Sequence, residues 1–264
     1  MRTVYFAKKI KKFKMILEVE EIYNDVRQKS RLSRRMEEKF IASANKYIFP
    51  TQLLNKKFNK KNKPYVIIHG TYQVETDRKL SFNDDKIHVV YAGTLDPRKG
   101  GAIAAVKSAQ WLTEKYHIHI LGFGDSVEIE KLILDVNSQS KATVTFDGLL
   151  SGNEYIEFLQ KCHIGMSTQN PDANFNDTSF PSKILSYMAN GLRVVTVSIP
   201  AIEASDIGNE LYYYKNQTPK DIAEAIMNID FNDGYDGRSI IRELDIKFTE
   251  EFKKMMGDVY YASN

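Results

Sequence analysis

Cysteine and long hydrophobic runs are scarce in this sequence of 264 residues. The single cysteine, Cys162, excludes a disulfide framework and indicates a reducing compartment. No stretch approaches the roughly 18 consecutive apolar residues of a membrane span, and the apolar run at residues 4–7 is too short for the core of a signal peptide. These absences predict a cytoplasmic protein that at most contacts the inner face of a membrane from the side.

Positive charge is concentrated at one end of the chain. Residues 1–63 contain 18 Lys/Arg and 6 Asp/Glu, whereas residues 64–264 contain 19 and 28. This asymmetry indicates that the first segment faces an anionic lipid surface or a lipid-phosphate acceptor, or else that it is a solvated basic face. Nucleic acid is not an expected partner, because the basic run at 56–63 has Phe58 as its only aromatic residue and offers no stacking platform.

Short apolar strands alternate with helices along most of the chain. Before residue 71, strands are predicted at 15–19, 47–50 and 65–69, with helices at 30–46 and from residue 51. Later strands are predicted at 87–92, 117–121, 142–146, 164–167, 192–197 and 210–214. The helices between and after them are predicted at 102–112, 127–136, 152–160, 181–190, 219–229 and 237–256. This pattern predicts an α/β fold with a doubly wound, Rossmann-like parallel sheet.

The chain divides into four predicted segments. An incomplete α/β segment covers 1–70, a polar linker covers 71–86, a ligand-binding domain covers 87–236, and a C-terminal helix covers 237–264. In doubly wound sheets, ligands bind beyond the carboxyl ends of the strands. The loops after the first four strands of the third segment are therefore the places where a ligand site is expected.

The first of these loops places two cations beside glycines. It reads GTLDPRKGG over 93–101, with Arg98 and Lys99 just before a predicted helix. Glycine N–H groups, the positive end of the helix dipole and the two cations suit a diphosphate, although a basic surface turn would have the same composition. The loop matches neither the Walker consensus nor Gly-x-Gly-x-x-Gly.

A second candidate for anion binding is the segment SFPSKILSYMANG at 179–191. Its proline and its final glycine are typical of the start and the end of a helix. Ser179, Ser182 and Lys183 would then lie together at the helix N-terminus, where an anion is stabilised. An amphipathic helix without a ligand is the alternative. The preceding loop at 169–178 is rich in turn residues and could wrap a sugar or a diphosphate.

Three histidines suggest a metal site at first sight. His117 and His119 alternate on one predicted strand and so share a face, and His88 is nearby. Because no Cys, Asp or Glu completes a ligand spacing, we interpret them as structural histidines and predict no metal site. Cys162 lies at a helix-to-strand junction and is predicted to be buried rather than nucleophilic.

Four segments resemble the family-4 glycosyltransferases, which have the GT-B fold. They are VYAGTLDPRKG at 90–100, IHILGFG at 118–124, VTFDGL at 144–149, and 179–195, which resembles a helix motif of capsule and exopolysaccharide transferases. Their order and spacing agree with that family over residues 86–260. The resemblance implies transfer of a sugar from a nucleotide-diphosphate sugar, UDP- or GDP-linked, to a saccharide or lipid-linked acceptor in surface-polysaccharide synthesis.

The resemblance also assigns roles to residues. Those that match diphosphate contacts are Gly93, Thr94, Arg98, Lys99, Gly100, Ser182 and Lys183. Those that match sugar or ribose contacts are Thr178, Ser179 and Ser186, and those near the base are Gly122, Gly124, Phe146 and Leu149. No metal or other cofactor is implied, because side chains supply the positive charge that stabilises the leaving diphosphate.

Two departures from the family pattern bear on activity. The arginine after the first glycine is Thr94 here, for which Arg98 is a candidate substitute, and the ribose-binding glutamate is Ser186. A serine hydroxyl binds a ribose hydroxyl less strongly than a carboxylate does. In addition, residues 1–70 resemble only the end of an acceptor domain. A sheet without its first strands exposes an edge, so self-association or a partner chain is expected.

Two other functions stay open at this point. The chain could be a nucleotide-sugar-binding module that is inactive alone or needs a partner subunit. A nucleotide-sugar epimerase is less favoured, because no His/Glu pair lies near the anion-binding loops. Glu20 and Glu21 are candidates for the acceptor side of a cleft, or are simply a solvated pair. No catalytic residue is predicted.

Overall fold

The computed structural model describes residues 1–20, 22–23, 30–96, 100–173, 176 and 179–260, with side chains up to residue 257. In these ranges nine strands form two separate sheets, and every strand pair is parallel. The predicted α/β fold class is therefore confirmed. We refer to residues 1–70 as the N-terminal unit and to residues 87–236 as the C-terminal unit.

The N-terminal unit contains a three-stranded sheet with the order β1-β2-β3. Its strands are β1 (Ile16–Glu18), β2 (Lys46–Phe49) and β3 (Tyr65–Ile67), and its described helices are α1 (Arg2–Lys11), α2 (Arg31–Ala42) and α3 (Gln52–Phe58). The hydroxyls of Ser30 and Thr51 cap α2 and α3 by accepting backbone N–H groups in the first turn. Tyr47, Phe49 and Leu54 form the fully buried centre of its core.

The C-terminal unit contains a six-stranded sheet with the order β6-β5-β4-β7-β8-β9. Its strands are β4 (Ile87–Leu95), β5 (Tyr116–Gly124), β6 (Thr143–Gly148), β7 (Ile164–Ser167), β8 (Arg193–Val197) and β9 (Tyr212–Tyr214). Its helices are α4 (Gly101–Ser108), α5 (Ser126–Gln139), α6 (Gly152–Lys161), α7 (Lys183–Ala189), α8 (Pro200–Glu203) and α9 (Pro219–Met227). All four residues of β7 are buried, because helices cover both faces of the sheet.

Two strands are longer than the sequence predicted. β4 continues to Leu95 and β5 to Gly124, so Gly93, Gly122 and Gly124 lie in strands and not in turns. Gly93 pairs with Gly122. A Cβ at Gly122 would lie 1.8 Å from the Gly93 carbonyl oxygen, so glycine lets the two strands stay paired there. The prediction of strand ends at 92 and 121 was wrong because glycine in this sheet serves close approach, whereas it usually marks a turn.

The segment 71–86 has no helix or strand but is fixed to the C-terminal unit. The backbone N–H of Arg78 donates to Oε1 of Gln160 at 3.0 Å, and Nε2 of Gln160 donates to the Thr76 carbonyl at 2.9 Å. The last helix, α10 (Gly237–Tyr260), packs against β3 and α7 and so contacts both units. None of the described helices combines the length and apolarity that crossing a bilayer requires.

Candidate functional site

The strand order of the large sheet reverses between β4 and β7. One branch of the chain runs outward through β5 and β6, and the other runs through β8 and β9. β4 and β7 pair only through Val89 with Ile164 and Val90 with Gly165, and no pairing continues toward their carboxyl ends. Ligands bind in the crevice at such a reversal.

A buried tyrosine joins the two strands where their pairing stops. The Ala92 N–H donates to the hydroxyl of Tyr187 at 2.9 Å, and this hydroxyl donates to the Met166 carbonyl at 3.3 Å. The ring lies over Gly165, where a Cβ would be 2.2 Å from Cγ of Tyr187. Tyr187 is fully buried, and this burial raises the pKa of its phenol well above the usual range. The crevice therefore has a rigid floor.

The ammonium of Lys183 lies at the mouth of this crevice. Its Nζ is 3.0 Å from the place that a Cβ would take at Gly93 and 4.4 Å from the ring centroid of Tyr91. The ring face attracts the cation, and the Tyr91 hydroxyl donates to the Thr94 carbonyl at 3.1 Å. Burial raises the pKa of Tyr91 to about 12, so the phenol stays neutral. Lys183 is thus held beside the carboxyl end of β4, where a negatively charged ligand would contact it.

The opposite wall of the crevice is made by the start of α4 and the end of β7. The Thr168 hydroxyl donates to the Gly101 carbonyl at 2.8 Å, and a Cβ at Gly101 would be 2.6 Å from the Thr168 carbonyl oxygen. Gly100 has φ of 67° and precedes α4 directly. The Gln169 N–H donates to the Tyr214 hydroxyl at 3.2 Å. These contacts fix the first residues of α4 and the residues that directly follow β7.

One buried amide beside this wall lacks a partner. Nε2 of Gln217 has no hydrogen bond within the part of the chain that the structure describes. It lies 4.0 Å from the place of a Cβ at Gly100. Buried amide donors without a partner are rare in native proteins, so Gln217 is a candidate donor to a ligand oxygen. Nothing in the sequence marked this residue, because it follows β9 and is far along the chain from the glycine loop.

The predicted diphosphate and sugar residues are placed as follows. Arg98, Lys99 and Thr178 lie outside the described residues. Gly93, Thr94, Gly100 and Lys183 meet at the crevice, as described above. Ser182 is exposed at the start of α7, and Ser179 is half-buried nearby. Ser186 is half-buried in α7, close to the phenol of Tyr155, whose pKa is raised by burial and lowered by Ser186.

The four residues predicted near the base lie on the outer branch of the sheet. Gly122 and Gly124 are in β5 next to β4, and half-buried Phe146 is in β6, where it pairs with Ile120. Leu149 follows β6 and is 66% exposed. These roles stay predictions.

A cleft of about 690 Å³ opens between the two units. Glu18, Glu20, Pro50 and His69 line it from the N-terminal unit, and Ser179, Phe180, Ser182 and Asp245 line it from the other side. The expectation that Glu20 faces such a cleft agrees with this position, whereas Glu21 lies outside the described residues. Ser182, the residue before Lys183, lines the cleft, so the cleft is adjacent to the start of α7.

His69 connects the two sides of the cleft. Its Nδ1 lies 2.8 Å from the Pro50 carbonyl oxygen, and its ring packs on Phe180 with centroids 4.7 Å apart. Nε2 is buried without a hydrogen bond and is 3.8 Å from Oδ2 of Asp206. The ring nitrogen therefore faces a carboxylate at a distance that is too long for a hydrogen bond.

Comparison with known proteins gives one family and many similar folds. The family model described as "Glycosyl transferases group 1" matches residues 86–229. A search of curated proteins finds no significant match. HepE from Anabaena, solved in complex with UDP and glucose, has a TM-score of 0.68 and 12% identity, with 97% of this chain and 74% of that chain covered.

Two further solved structures have the same architecture. A glycosyltransferase from Rickettsia africae has a TM-score of 0.69 and 12% identity, covering 97% of this chain and 73% of that chain. The apo form of the lipopolysaccharide outer core galactosyltransferase WaaB has a TM-score of 0.66 and 12% identity, covering 99% and 72%. At such low identity these likenesses show the fold alone, and the chain spans about three quarters of the length of these proteins.

Proposed function

This chain belongs to the group 1 glycosyl transferases, enzymes with the GT-B fold, and on this premise we propose that it transfers a sugar from a nucleotide-diphosphate sugar to a saccharide or lipid-linked acceptor in surface-polysaccharide synthesis. The observation that carries the proposal is the position of the Lys183 ammonium at Gly93, in the crevice where β4 and β7 separate. UDP is the first candidate nucleotide, because HepE was solved with UDP bound. WaaB, a lipopolysaccharide galactosyltransferase, has the same fold.

The chemistry follows from the charge that develops on the leaving group. When the bond from the sugar to the diphosphate breaks, negative charge grows on the diphosphate oxygen. Lys183 is already positioned by the ring of Tyr91, so it stabilises this charge without reorganising. Arg98 and Lys99 of the neighbouring loop are proposed to add further positive charge. The acceptor hydroxyl would approach from the interdomain cleft, whose carboxylates are Glu18, Glu20 and Asp245.

Calorimetric titration of the purified chain with UDP, GDP and their sugar conjugates tests the donor site. We expect one nucleotide to bind, and Lys183→Ala to weaken this binding at least tenfold, or by about 1.4 kcal/mol. Lys99→Ala should act in the same direction. Lys131→Ala, which removes an exposed lysine from α5, is the matched control and should bind like the wild type. Equal affinity in Lys183→Ala and Lys131→Ala would contradict the assignment of Lys183.

A turnover assay distinguishes an active enzyme from a module that only binds the nucleotide sugar. With the preferred donor and a panel of saccharide and lipid-linked acceptors, an enzyme releases nucleoside diphosphate faster in the presence of one acceptor. Tight nucleotide binding without such release would favour the alternative, a module that works only with a partner subunit. Ser186 favours this alternative, because a hydroxyl stands where the family has a carboxylate that binds the ribose. β1 is an edge strand of its sheet, so self-association or a partner there belongs to the same proposal.

We also propose that α1 attaches the protein to the cytoplasmic face of an anionic membrane. Phe6 and Ile10 lie one turn apart on α1, and Phe13 follows two residues after the helix ends. Their exposed fractions are 55%, 75% and 40%. Lys8, Lys9 and Lys11 stand in the last turn of the same helix. Exposed apolar side chains beside lysines are typical of helices that lie in the interface of an anionic bilayer.

Vesicle co-sedimentation tests this attachment. The chain should bind phosphatidylglycerol vesicles more strongly than phosphatidylcholine vesicles, and salt should weaken the binding because it screens the lysines. The double variant Phe6→Ser/Ile10→Ser should lose the binding. Leu134→Ser, which replaces a side chain on α5 that is 72% exposed, should keep it. Equal binding by all three proteins would contradict a role for α1.

A further inference from the structure

Four of the five histidines of the chain lie close together on one face of the large sheet. His88 is in β4, His117 and His119 are in β5, and His163 directly precedes β7. The ring centroids of His117 and His119 are 4.2 Å apart, and those of His88 and His119 are 5.2 Å apart. His88 is five residues before Gly93, or roughly 17 Å away at about 3.3 Å per strand residue. The cluster is therefore separate from the proposed donor site.

Carboxylates hold the outer nitrogens of two of these rings. Oδ1 of Asp84 is 2.7 Å from Nε2 of His88, and Oδ2 of Asp147 is 3.1 Å from Nδ1 of His119. An ionised carboxylate only accepts hydrogen bonds, so both of these ring nitrogens carry a hydrogen. In neutral rings the lone pairs are then on Nδ1 of His88 and on Nε2 of His119. These two atoms face each other at 2.9 Å.

Two facing lone pairs at this distance require a cation between them, either a proton or a metal ion. His117 supplies a third nitrogen, since one ring nitrogen of each of the three histidines lies within 4.8 Å of the others. The Thr145 hydroxyl holds His117, because it lies 3.1 Å from Nε2 of that ring while it donates to Asp147 at 2.8 Å. His163 is a neighbour rather than a ligand, because its Nδ1 accepts the backbone N–H of His88.

We propose that His88, His117 and His119 bind a zinc-class transition-metal ion, with Asp84 and Asp147 orienting the rings. Three imidazoles with hydrogen-bonded outer nitrogens are one of the arrangements that bind Zn²⁺ in proteins. Zn–N bonds of about 2.0–2.1 Å need facing nitrogens only slightly further apart than they are here. Mg²⁺ and Ca²⁺ are not the ions that this site prefers, because they require oxygen donors.

The surroundings keep water from the cluster. The ring of Phe82 stacks on His88 and His119 at centroid distances of 4.0 and 4.9 Å, and both histidines are almost fully buried. An ion here would tie β4 to β5 and stabilise the sheet.

Metal binding to the full-length chain after chelator treatment tests the proposal. Equilibrium dialysis against Zn²⁺ should give one ion per chain, and Co²⁺ should produce the visible absorption of a tetrahedral nitrogen site. His119→Gln should weaken the binding at least tenfold and abolish the absorption. His69→Gln removes the one histidine outside the cluster and is the matched control, which should keep wild-type metal affinity. Zn²⁺ should also raise the melting temperature of the wild type.

Two measurements keep the test decisive. Circular dichroism establishes that His119→Gln is folded. If it is not, Asp147→Asn replaces it, because loss of an orienting carboxylate should weaken the metal about 10- to 100-fold. No ion bound by the wild type would overturn the proposal and leave a proton shared between His88 and His119. Equal affinity in the cluster variants and in His69→Gln would overturn it as well. The metal-binding test uses no nucleotide, so its result does not depend on whether the donor site is assigned correctly.

Discussion

At the residue scale, the crevice depends on one glycine. The ring of Tyr187 fills the space above Gly165, and its hydroxyl joins Ala92 to Met166. A side chain at 165 would push this ring away from both partners. Gly165 therefore allows the strands to separate around a fixed tyrosine, and the separation makes room for a ligand.

Gly165→Ala should be strongly destabilising. Its Cβ would lie 2.2 Å from Cγ of Tyr187, and overpacking of a buried site typically costs about 1–3 kcal/mol. The free energy of unfolding, measured by urea titration, should fall by that amount. Gly257→Ala is the matched control, because a Cβ there meets nothing within 4 Å. In the helix α10 this change should be neutral or stabilising by up to about 1 kcal/mol. Similar losses in both variants would argue against the packing explanation.

The sequence could predict some of these residues and not others. Lys183 follows from its motif and its place at the N-terminus of a predicted helix, and the structure places it beside Gly93, another residue of the predicted set. Tyr187 could not be predicted, because it contacts Ala92 and Met166, which are 95 and 21 residues away. Its role exists only once the sheet is assembled. For the same reason, no motif in the sequence around Gln217 indicates that it is a candidate ligand contact.

At the element scale, strands and helices from residue 87 onward were largely predictable. Continuous apolar strands and amphipathic helices each carry a local signal, and the predicted order agrees with the observed one. The ends of β4 and β5 were wrong because glycines were interpreted as turns. The helix α1 was not predicted, and none of its residues is buried in the structure.

The histidine cluster could also be predicted only in part from the sequence. Alternation along β5 was enough to predict that His117 and His119 share a face. The carboxylates were missed because Asp147 comes from β6 and Asp84 comes from the segment before β4. Strand register, which pairs His117 with His88 and His119 with Thr145, brings these groups together. Spacing within one strand holds no information about that register.

At the scale of the whole molecule, the Asp206 carboxylate lies close to side chains from two other parts of the chain. Asp206 follows α8 in the C-terminal unit. Nζ of Lys247 on α10 is 2.7 Å from its Oδ1, and Nε2 of His69 in the N-terminal unit is 3.8 Å from its Oδ2. The carboxylate thus ties α10 to the C-terminal unit and faces His69, which lines the cleft from the N-terminal unit.

Asp206→Asn should lower stability in a pH-dependent way. His69 and Lys247 lower the pKa of the Asp206 carboxyl. A carboxyl whose pKa is lower in the folded chain contributes stability above its unfolded pKa of about 3.9 and loses it as the pH falls through the folded value. The side chain is 43% exposed, so water screens the pair and the loss at pH 7 should be only about 1 kcal/mol.

Thermal unfolding of both proteins across pH measures this link. The melting temperature of Asp206→Asn should be lower than that of the wild type at pH 7, and the gap should narrow progressively as the pH falls below about 3.9, the unfolded pKa of the carboxyl. Glu114→Gln, which replaces an exposed carboxyl outside the ion pairs of the described residues, should follow the wild type at every pH. A gap that stayed constant down to pH 2 would show that the substitution acts through the shape of the side chain and not through its charge. The charge of the carboxylate, and with it the pair with Lys247, would then not be the source of the stability.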